Sequence, residues 1–171
     1  MNNLSLIKQK ILSFDTLLPT LNGLRKQKAS IVFTNGCFDI LHRGHLEYLA
    51  AAADLGDILV VGMNSDASVR RQNKGPERPI NDADSRAELL AGLVPVDFVI
   101  EFDDDTPFHL IELIQPDVLV KGGDYDANET NKEAKSYIVG SDVVKQRGGK
   151  VVTIDLVQGF STSNVIKKIK A

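Results

Sequence analysis

The sequence has a single cysteine, no surplus of positive charge and no long apolar run, and each of these shortages excludes a class of protein. Cys37 is the only cysteine among 171 residues, so no internal disulfide can form and nothing points to an oxidising compartment. No apolar stretch is long enough to cross a bilayer, and the N-terminus lacks an apolar segment followed by a small-residue cleavage site. We therefore expect a cytoplasmic globular protein without membrane insertion.

The charge balance argues against a nucleic-acid-binding surface. The chain carries 20 Lys and Arg residues against 23 Asp and Glu residues, a formal net charge of -3. Proteins that bind nucleic acid broadly need a surplus of cations to neutralise the phosphates, and this chain has no such surplus. Any phosphate chemistry is therefore expected in a local pocket.

Short apolar runs alternate with segments of helical character along the chain. Apolar strands separated by helices are typical of a parallel α/β sheet with helices on both faces. The length fits one domain over 1–171, with a helical lead-in over 1–28 and a core over 29–171. Ligands of such sheets bind beyond the carboxyl ends of the strands, where the strand order reverses. The apolar runs predict about five strands, at 31–33, 57–62, 96–102, 118–120 and 151–154.

Turn and capping signals give more detailed predictions. Pro19 and Asn22-Gly23 predict an interruption in the helix over 4–27, and Thr34-Asn35-Gly36 predicts a turn after the first strand. A helix that starts near Asp82 is expected to carry Ala87, Leu90, Ala91 and Val94 on one apolar face. Thr106 is expected to be the N-cap of a later helix that starts with a proline.

The strongest chemical signal is His42-Arg43-Gly44-His45, which follows the first predicted strand at the start of the first long helix. A helix N-terminus offers unpaired N–H groups and a partial positive charge, and both favour a phosphate group. The imidazoles add directional donors, and Gly44 leaves room for a triphosphate to approach the backbone. Two alternatives are a pair of incidental surface histidines and a zinc site, for which Cys37 is the only nearby thiol. Cys37 itself is either an activated nucleophile or a small apolar residue packed beside the phosphate loop.

Three further segments carry groups suited to phosphates or nucleotides. The segment 159–163 contains three consecutive hydroxyls, which either cap the last helix or hold phosphates. Lys74-Gly75 with Arg78 and Arg86 is either a solvated basic loop or a phosphate-binding set. The segment 121–124, Lys-Gly-Gly-Asp, is either a tight turn or a place where a base or ribose lies against the backbone. All of these segments fall near predicted strand ends, where an α/β sheet forms its cleft, so the binding interpretation is favoured.

These segments resemble the HxGH nucleotidyltransferases of the cytidylyltransferase type. Within that family, 34–45, 61–68 and 118–125 are most similar to the D-glycero-β-D-manno-heptose 1-phosphate adenylyltransferase domains of bacterial ADP-heptose synthesis. The resemblance covers nearly all of the chain from Ile31 onward and implies a Rossmann-like sheet. It also implies that AMP passes from ATP to a sugar 1-phosphate in the presence of Mg²⁺. The products would be ADP-heptose, for lipopolysaccharide core biosynthesis, and pyrophosphate. A homodimer is implied as well.

The resemblance assigns roles residue by residue. His42, His45 and Lys74 are expected to be catalytic, because they would hold the triphosphate and stabilise the transition state. Arg86 and Arg78 are expected to bind substrate phosphate, and no side chain is assigned as a metal ligand. The implied nucleotide-binding residues are Thr34, Asn35, Gly36, Cys37, Phe38, Gly44, Lys121, Gly122, Gly123, Asp124, Ser161, Thr162 and Ser163.

Two departures from the family pattern bear on the substrate. The segment 126–148 is longer than expected and partly polar. Residues 156–159, Leu-Val-Gln-Gly, lack the arginine that usually precedes the hydroxyl-rich motif of glycerol-3-phosphate cytidylyltransferases. The second departure favours the hypothesis of a heptose 1-phosphate adenylyltransferase, but a CTP-dependent alditol-phosphate cytidylyltransferase stays an alternative. A non-catalytic nucleotide-binding module is an alternative of another class, whereas a Rossmann oxidoreductase is disfavoured because no G-x-G-x-x-G follows the first strand.

Overall fold

The computed structural model describes residues 2–73 and 75–170, the side chain of Lys170 excepted. Over these residues the chain forms six strands in one all-parallel sheet, in the order β1-β4-β3-β2-β5-β6. The elements in chain order are α1 (Asn3–Gln9), β1 (Ile11–Leu12), α2 (Phe14–Lys26), β2 (Ile31–Gly36), α3 (Arg43–Ala53), β3 (Ile58–Asn64), α4 (Asp66–Arg71), α5 (Ala83–Ala91), β4 (Phe98–Phe102), α6 (Phe108–Ile114), β5 (Val118–Gly122), α7 (Ser141–Gln146), β6 (Lys150–Ile154) and α8 (Thr162–Lys170).

Helices cover both faces of the sheet, as the apolar strands predict. Successive strand residues point to opposite faces, so Val32 joins one core and Phe33 the other. The first core is closed by α3 and α5, through buried residues such as Leu49 and Leu90. The second is closed by α2, α6 and α7. The predicted fold class is confirmed, and the strand count of about five is corrected to six.

The sixth strand, β1, was not predicted, because it lies inside what reads as one long helix. It consists only of Ile11 and Leu12, which pair in parallel with Val99 and Ile100 at the edge of the sheet. A two-residue strand leaves no period-2 pattern, so only the neighbouring strand reveals it. The lead-in over 4–27 is therefore divided by a strand at 11–12.

The interruption predicted at Pro19 is wrong, since α2 continues through it. A proline in a helix interior costs about 3 kcal/mol, and Gly23 adds roughly 1 kcal/mol. Leu17 and Leu21, on the same helix, are fully buried, and burial of each contributes about 1.5–3 kcal/mol. Ser13 and Thr16 complete a capping box at the N-terminus of α2. Tertiary burial and capping thus offset the local penalty.

Two further local predictions are corrected. Thr34, Asn35 and Gly36 do not form a turn but continue β2, because each pairs with a residue of β3. Val94 is 96% exposed, since α5 ends at Ala91 and the chain turns away before Val94 reaches the core.

Smaller differences concern helix starts and the segment 126–148. Helix α6 begins at Phe108 with Pro107 at the cap position, so Thr106 is not the N-cap. The segment 126–148 contains α7, and Ile138 anchors it in the second core. No helix in the described part of the chain is long and apolar enough to span a membrane.

Candidate active site

A cleft lies where the strand order reverses. Within the sheet, β3 is the neighbour of β2 on one side and β5 is its neighbour on the other. The connections that leave these strands diverge, so a crevice forms at the carboxyl end of β2. A cavity of about 560 Å³ opens there. It is lined by Asn35, Gly36, Cys37, Phe38, His42, Gly44, His45, Tyr48, Asn64, Gln72, Asp105, Thr106, Pro107, Lys121, Gly122, Asp124, Tyr125, Val139, Leu156, Val157, Phe160, Ser161 and Thr162.

His42 and His45 lie side by side in this cavity at the start of α3. Their rings are stacked, with centroids 3.8 Å apart and planes inclined by 15°. His42 is the N-cap of α3, and its Nδ1 accepts a hydrogen bond of 3.3 Å from the main-chain N–H of His45. Because Nδ1 acts as an acceptor, the neutral His42 ring carries its proton on Nε2. The cap therefore leaves His42 Nε2 as an N–H donor.

Burial keeps both histidines neutral at neutral pH. Removal from water lowers the pKa of His42 below its usual value, and a hydrogen bond to its own backbone opposes this only in part. The pKa of His45 falls to about 4, first through burial and then through repulsion by His42, although the carbonyl of Ile40 favours the charged form. Buried His45 Nδ1 has no hydrogen-bond partner within residues 2–73 and 75–170. Two neutral rings can stack closely without charge repulsion, and an arriving triphosphate would raise both pKa values.

A side chain at Gly44 would crowd two neighbouring residues. A Cβ at this position would lie 3.1 Å from Phe160 Cβ and 3.1 Å from His42 Nδ1. The space above the glycine is therefore filled by the loop before α8 and by the first histidine. The Phe160 ring also approaches Arg43, whose guanidinium carbon lies 5.8 Å from the ring centroid. Gly44 lines the cavity, and its lack of a side chain lets the C-terminal loop pack on the start of α3.

The hydroxyl-rich motif brings a second helix N-terminus to the cavity. Ser161 caps α8, accepting a hydrogen bond from the main-chain N–H of Asn164 through its Oγ at 3.1 Å. Thr162 donates its hydroxyl to the carbonyl of Ile40 at 3.4 Å, which ties α8 to the loop before α3. Ser161 and Thr162 both line the cavity, but Ser163 is exposed and does not. Two of the three predicted hydroxyls are thus brought to the site.

The end of β5 forms the opposite wall. Lys121 Nζ lies 2.6 Å from Asn35 Oδ1, across the boundary between β5 and β2, and 5.5 Å from the centroid of the Tyr125 ring. Gly122 and Asp124 line the cavity as predicted, whereas Gly123 does not. A Cβ on Gly123 would lie 2.9 Å from Asp155 Oδ1, so this glycine permits close packing of the loop after β6.

Thr34 supports the site from below and does not line it. It is fully buried, and its hydroxyl lies 2.6 Å from that of Tyr48, which does line the cavity. Burial raises the pKa of Tyr48, so this hydroxyl stays protonated.

Cys37 lines the cavity with its Sγ 3.1 Å from Gln72 Oε1. A buried thiol that donates to an amide oxygen fits the packing interpretation better than a nucleophile.

Arg86 is placed where a substrate phosphate cannot reach it. Its side chain is 0% exposed. Nη1 donates to the carbonyls of Cys37 and Asn64, at 2.7 and 2.8 Å, and Nη2 lies 2.7 Å from Asp66 Oδ1. The guanidinium therefore joins the ends of β2 and β3. The structure does not support the phosphate-binding role expected for this residue.

Arg78 is also engaged internally. It is 7% exposed and forms an ion pair with the carboxylate of Asp39, which also accepts main-chain N–H groups of Ile80 and Asn81. It does not line the cavity, so the expected contact with substrate phosphate is not supported either. Lys74, the third predicted catalytic residue, lies outside the described residues.

Several lining residues were missed by sequence reasoning. Asn64 ends β3, Gln72 follows α4, and Asp105 and Thr106 follow β4. The positions of Asn64, Asp105 and Thr106 at or just after strand ends were a usable signal, whereas Gln72 follows a helix and carries no such signal. For Mg²⁺, no group of three or more His, Cys, Asp or Glu residues suited to a metal occurs in the described part of the chain. A magnesium ion here would be held mainly by phosphate oxygens and water, as this ion generally prefers.

The fold and cavity define an open α/β protein whose site combines a histidine pair with two helix N-termini at a reversal of strand order. The chain belongs to the cytidylyltransferase-like family, whose model matches residues 33–168. It is 54% identical over 164 residues to a protein of Helicobacter hepaticus named bifunctional protein HldE. The matched region covers 96% of this chain and 31% of that protein. The protein of the same name from Campylobacter concisus is 57% identical over 146 residues, 85% of this chain and 28% of that protein. The chain thus spans less than a third of the length of these relatives.

Solved structures show the same fold. The lipopolysaccharide core biosynthesis protein of Thermoplasma volcanium superposes with a TM-score of 0.57 at 29% identity, over 75% of this chain and 97% of that one. Pantothenate synthetase of Thermus thermophilus superposes with a TM-score of 0.56, over 95% of this chain and 70% of that one. At 18% identity the latter similarity concerns the fold alone.

Proposed function

We propose that this chain is a nucleotidyltransferase that transfers AMP from ATP to a sugar 1-phosphate, with D-glycero-β-D-manno-heptose 1-phosphate as the acceptor. ADP-heptose for lipopolysaccharide core biosynthesis and pyrophosphate are the products. The observation that carries the proposal is the stacked pair His42 and His45, which lines one cavity together with Ser161 and Thr162 at the start of α8. Such an arrangement suits a chain of phosphates between two helix N-termini.

The proposed reaction needs positioned donors and no nucleophile from the protein. An oxygen of the sugar phosphate attacks the α-phosphorus of ATP, a new P–O bond forms, and the bond to the departing pyrophosphate breaks. A phosphate monoester has a second pKa of about 6, so the attacking oxygen is already ionised near neutral pH. No general base is therefore required, and the two histidines are left to position and stabilise the phosphates.

His42 is suited to stabilise charge that develops on the phosphates. Its Nε2–H is left free by the cap on Nδ1, and its position at the N-terminus of α3 adds the partial positive charge of the helix. His45, stacked against it, holds the orientation of the pair and presents a second ring to the cavity. We propose that Lys74 adds a positive charge from its loop, as the family resemblance implies. Mg²⁺ would supply further neutralisation, bound to the triphosphate.

Identification of the acceptor as a heptose phosphate rests on similarity. The relatives named bifunctional protein HldE match at 54% and 57% identity, and one similar structure is described as a lipopolysaccharide core biosynthesis protein. We further propose a homodimer that acts in the cytoplasm, with residues 1–171 as a single domain. Sedimentation equilibrium tests the dimer, for which a monomeric mass at micromolar concentration is the opposing result.

Pyrophosphate release tests the proposed function. The purified chain is incubated with ATP or CTP and, in separate reactions, with the heptose 1-phosphate or glycerol 3-phosphate. Release with ATP and the heptose phosphate supports the proposal, whereas release only with CTP and glycerol 3-phosphate replaces it by an alditol-phosphate cytidylyltransferase. Calorimetric binding of ATP without release for any acceptor indicates a non-catalytic module.

A further inference from the structure

The walls of the cavity are not equivalent, and the difference locates the acceptor. Two helix N-termini, those of α3 and α8, border the cavity together, and Thr162 donates to the carbonyl of Ile40 in the loop before α3. This side suits the three phosphates of the nucleotide. The wall at the end of β5, with Lys121 and Gly122, continues from it and suits the nucleoside.

The remaining wall lies beyond β3 and β4, on the other side of β2. It contains Asn64, Gln72, Asp105 and Thr106. In an in-line displacement the attacking group arrives opposite the leaving group, and pyrophosphate leaves toward the two helix starts. The acceptor must then enter from the β3–β4 wall.

Two side chains of this wall each have one polar partner in the described residues. Cys37 Sγ lies 3.1 Å from Gln72 Oε1, so the amide oxygen is occupied and the amide N–H groups are the free end of that side chain. Arg71 Nε donates to Asp105 Oδ1 at 2.6 Å, and Arg71 also donates to the carbonyl of Asp103. Over residues 2–73 and 75–170, no other residue bonds to the Gln72 amide nitrogen or to Asp105 Oδ2. The Gln72 amide N–H groups and Asp105 Oδ2 therefore remain as one donor and one acceptor for a ligand.

The chemistry of this pair selects what can bind. A carboxylate repels a phosphate group and accepts hydrogen bonds from hydroxyls, and an amide N–H donates to a hydroxyl oxygen. We propose that Gln72 and Asp105 are specificity-determining residues that bind hydroxyl groups of the acceptor, away from its reacting phosphate. The acceptor class is thus a polyol or sugar that carries its phosphate at the reacting end and uncharged hydroxyls at the other. This inference rests on the proposed function.

Steady-state kinetics with two acceptors tests the inference. The variants are Gln72→Leu and Asp105→Asn, with Asp104→Asn as the matched control, because Asp104 is the exposed neighbour that does not line the cavity. Each reaction contains ATP and Mg²⁺ with either the heptose 1-phosphate or mannose 1-phosphate, which lacks the seventh carbon and its hydroxyl. Loss of one hydrogen bond to a hydroxyl raises the acceptor KM about tenfold. We expect this rise for the heptose phosphate in both variants, with the KM for ATP unchanged.

The ratio of kcat/KM for the two acceptors separates recognition from a structural effect. The wild type and Asp104→Asn should prefer the heptose phosphate, and at least one of the two variants should lose most of that preference. Parallel losses for both acceptors and for ATP, or an unchanged ratio in both variants, overturn the inference while the proposed function stands. A wild type that releases no pyrophosphate with either acceptor overturns the proposed function, and this inference with it. Urea unfolding midpoints show that each variant is folded.

Discussion

Arg86 Nη1 lies 2.7 Å from the carbonyl oxygen of Cys37, so a guanidinium from α5 holds the first residue after β2 in place. The same nitrogen reaches the carbonyl of Asn64, the last residue of β3. Both of these residues line the cavity. The buried guanidinium of Arg86 thereby fixes the spacing of two walls of the cavity, although Arg86 does not line the cavity itself.

Replacement of Arg86 by Met is expected to lower the free energy of unfolding by about 3–5 kcal/mol. The substitution leaves several buried carbonyl oxygens without donors, and removal of one partner from a buried charged network is costly. Urea denaturation followed by circular dichroism measures the loss. Arg71→Met, at an exposed arginine, serves as the control and should cost less than about 1 kcal/mol. Near-wild-type stability together with a raised KM for the acceptor would restore the phosphate-binding role.

Loss of either histidine should reduce turnover with little effect on folding. Removal of one preorganised donor typically lowers kcat by roughly 10²–10³-fold, so we expect His42→Ala and His45→Ala each to fall in this range. His42→Asn separates two roles, because Asn retains a side-chain acceptor for the helix cap but has no imidazole. His109→Ala removes an exposed histidine of α6 that does not line the cavity, and it should behave as wild type. Near-normal turnover in both alanine variants contradicts the assignment of the site.

The stability of the protein should decrease as the pH falls from about 6.5 toward 4. The pKa of His45 is about 4 in the folded chain and 6.5 when unfolded, so the unfolded state binds more protons within this window. The contribution of neutral His45 to the free energy of unfolding is fully present above pH 6.5. It is lost on acidification, at no more than about 1.4 kcal/mol per pH unit. Because the ring is partly exposed, we expect a total of roughly 2 kcal/mol. Urea titrations at several pH values give the free energy of unfolding as a function of pH. This free energy should change less with pH in His45→Gln than in the wild type, and an equal change would contradict the prediction.

The hydroxyl pair under the cavity should behave as a coupled unit. Thr34→Val leaves the buried Tyr48 hydroxyl without its partner, and we expect a loss of about 1–3 kcal/mol. Tyr48→Phe should cost a similar amount, whereas the double variant should cost less than the sum of the two. A double-mutant cycle on unfolding free energies measures this coupling. Strict additivity would show that the short contact contributes no net stability.

Cys37→Ala should retain turnover within about threefold of the wild type. The proposed reaction has no covalent enzyme intermediate, and the thiol donates to the Gln72 side chain in a packing role. Initial rates of pyrophosphate release provide the measurement, with Cys37→Ser to separate polarity from volume. A loss of several hundredfold in both variants would favour a nucleophilic thiol.

Sequence patterns predict the layered fold and the centre of the site well, because both depend on local signals. The apolar strands and the short motif 42–45 are recognisable from neighbouring residues in the sequence, without knowledge of the tertiary structure. The two-residue strand β1 has no such signal, since only its pairing with β4 defines it. Long-range burial also explains the continuous helix through Pro19.

The acceptor wall and the role of Arg86 lie beyond local patterns for a related reason. Arg86 reads as a solvated or phosphate-binding cation until the structure shows carbonyls 49 and 22 residues away converging on it. Gln72 and Asp105 meet in one cavity only because β3 and β4 are adjacent in the sheet. Such residues are defined by their neighbours in space, and one sequence without its fold does not contain that information.

The hydrogen bond from Thr162 to Ile40 joins positions that are 122 residues apart and has a consequence for proteolysis of the site. A cut between Phe160 and Ser161 would leave the six strands of the described residues on one fragment and α8 on the other. The larger fragment keeps the histidine pair but loses the second helix start at the cavity, so its sheet would remain while the cleft that suits a triphosphate would be incomplete.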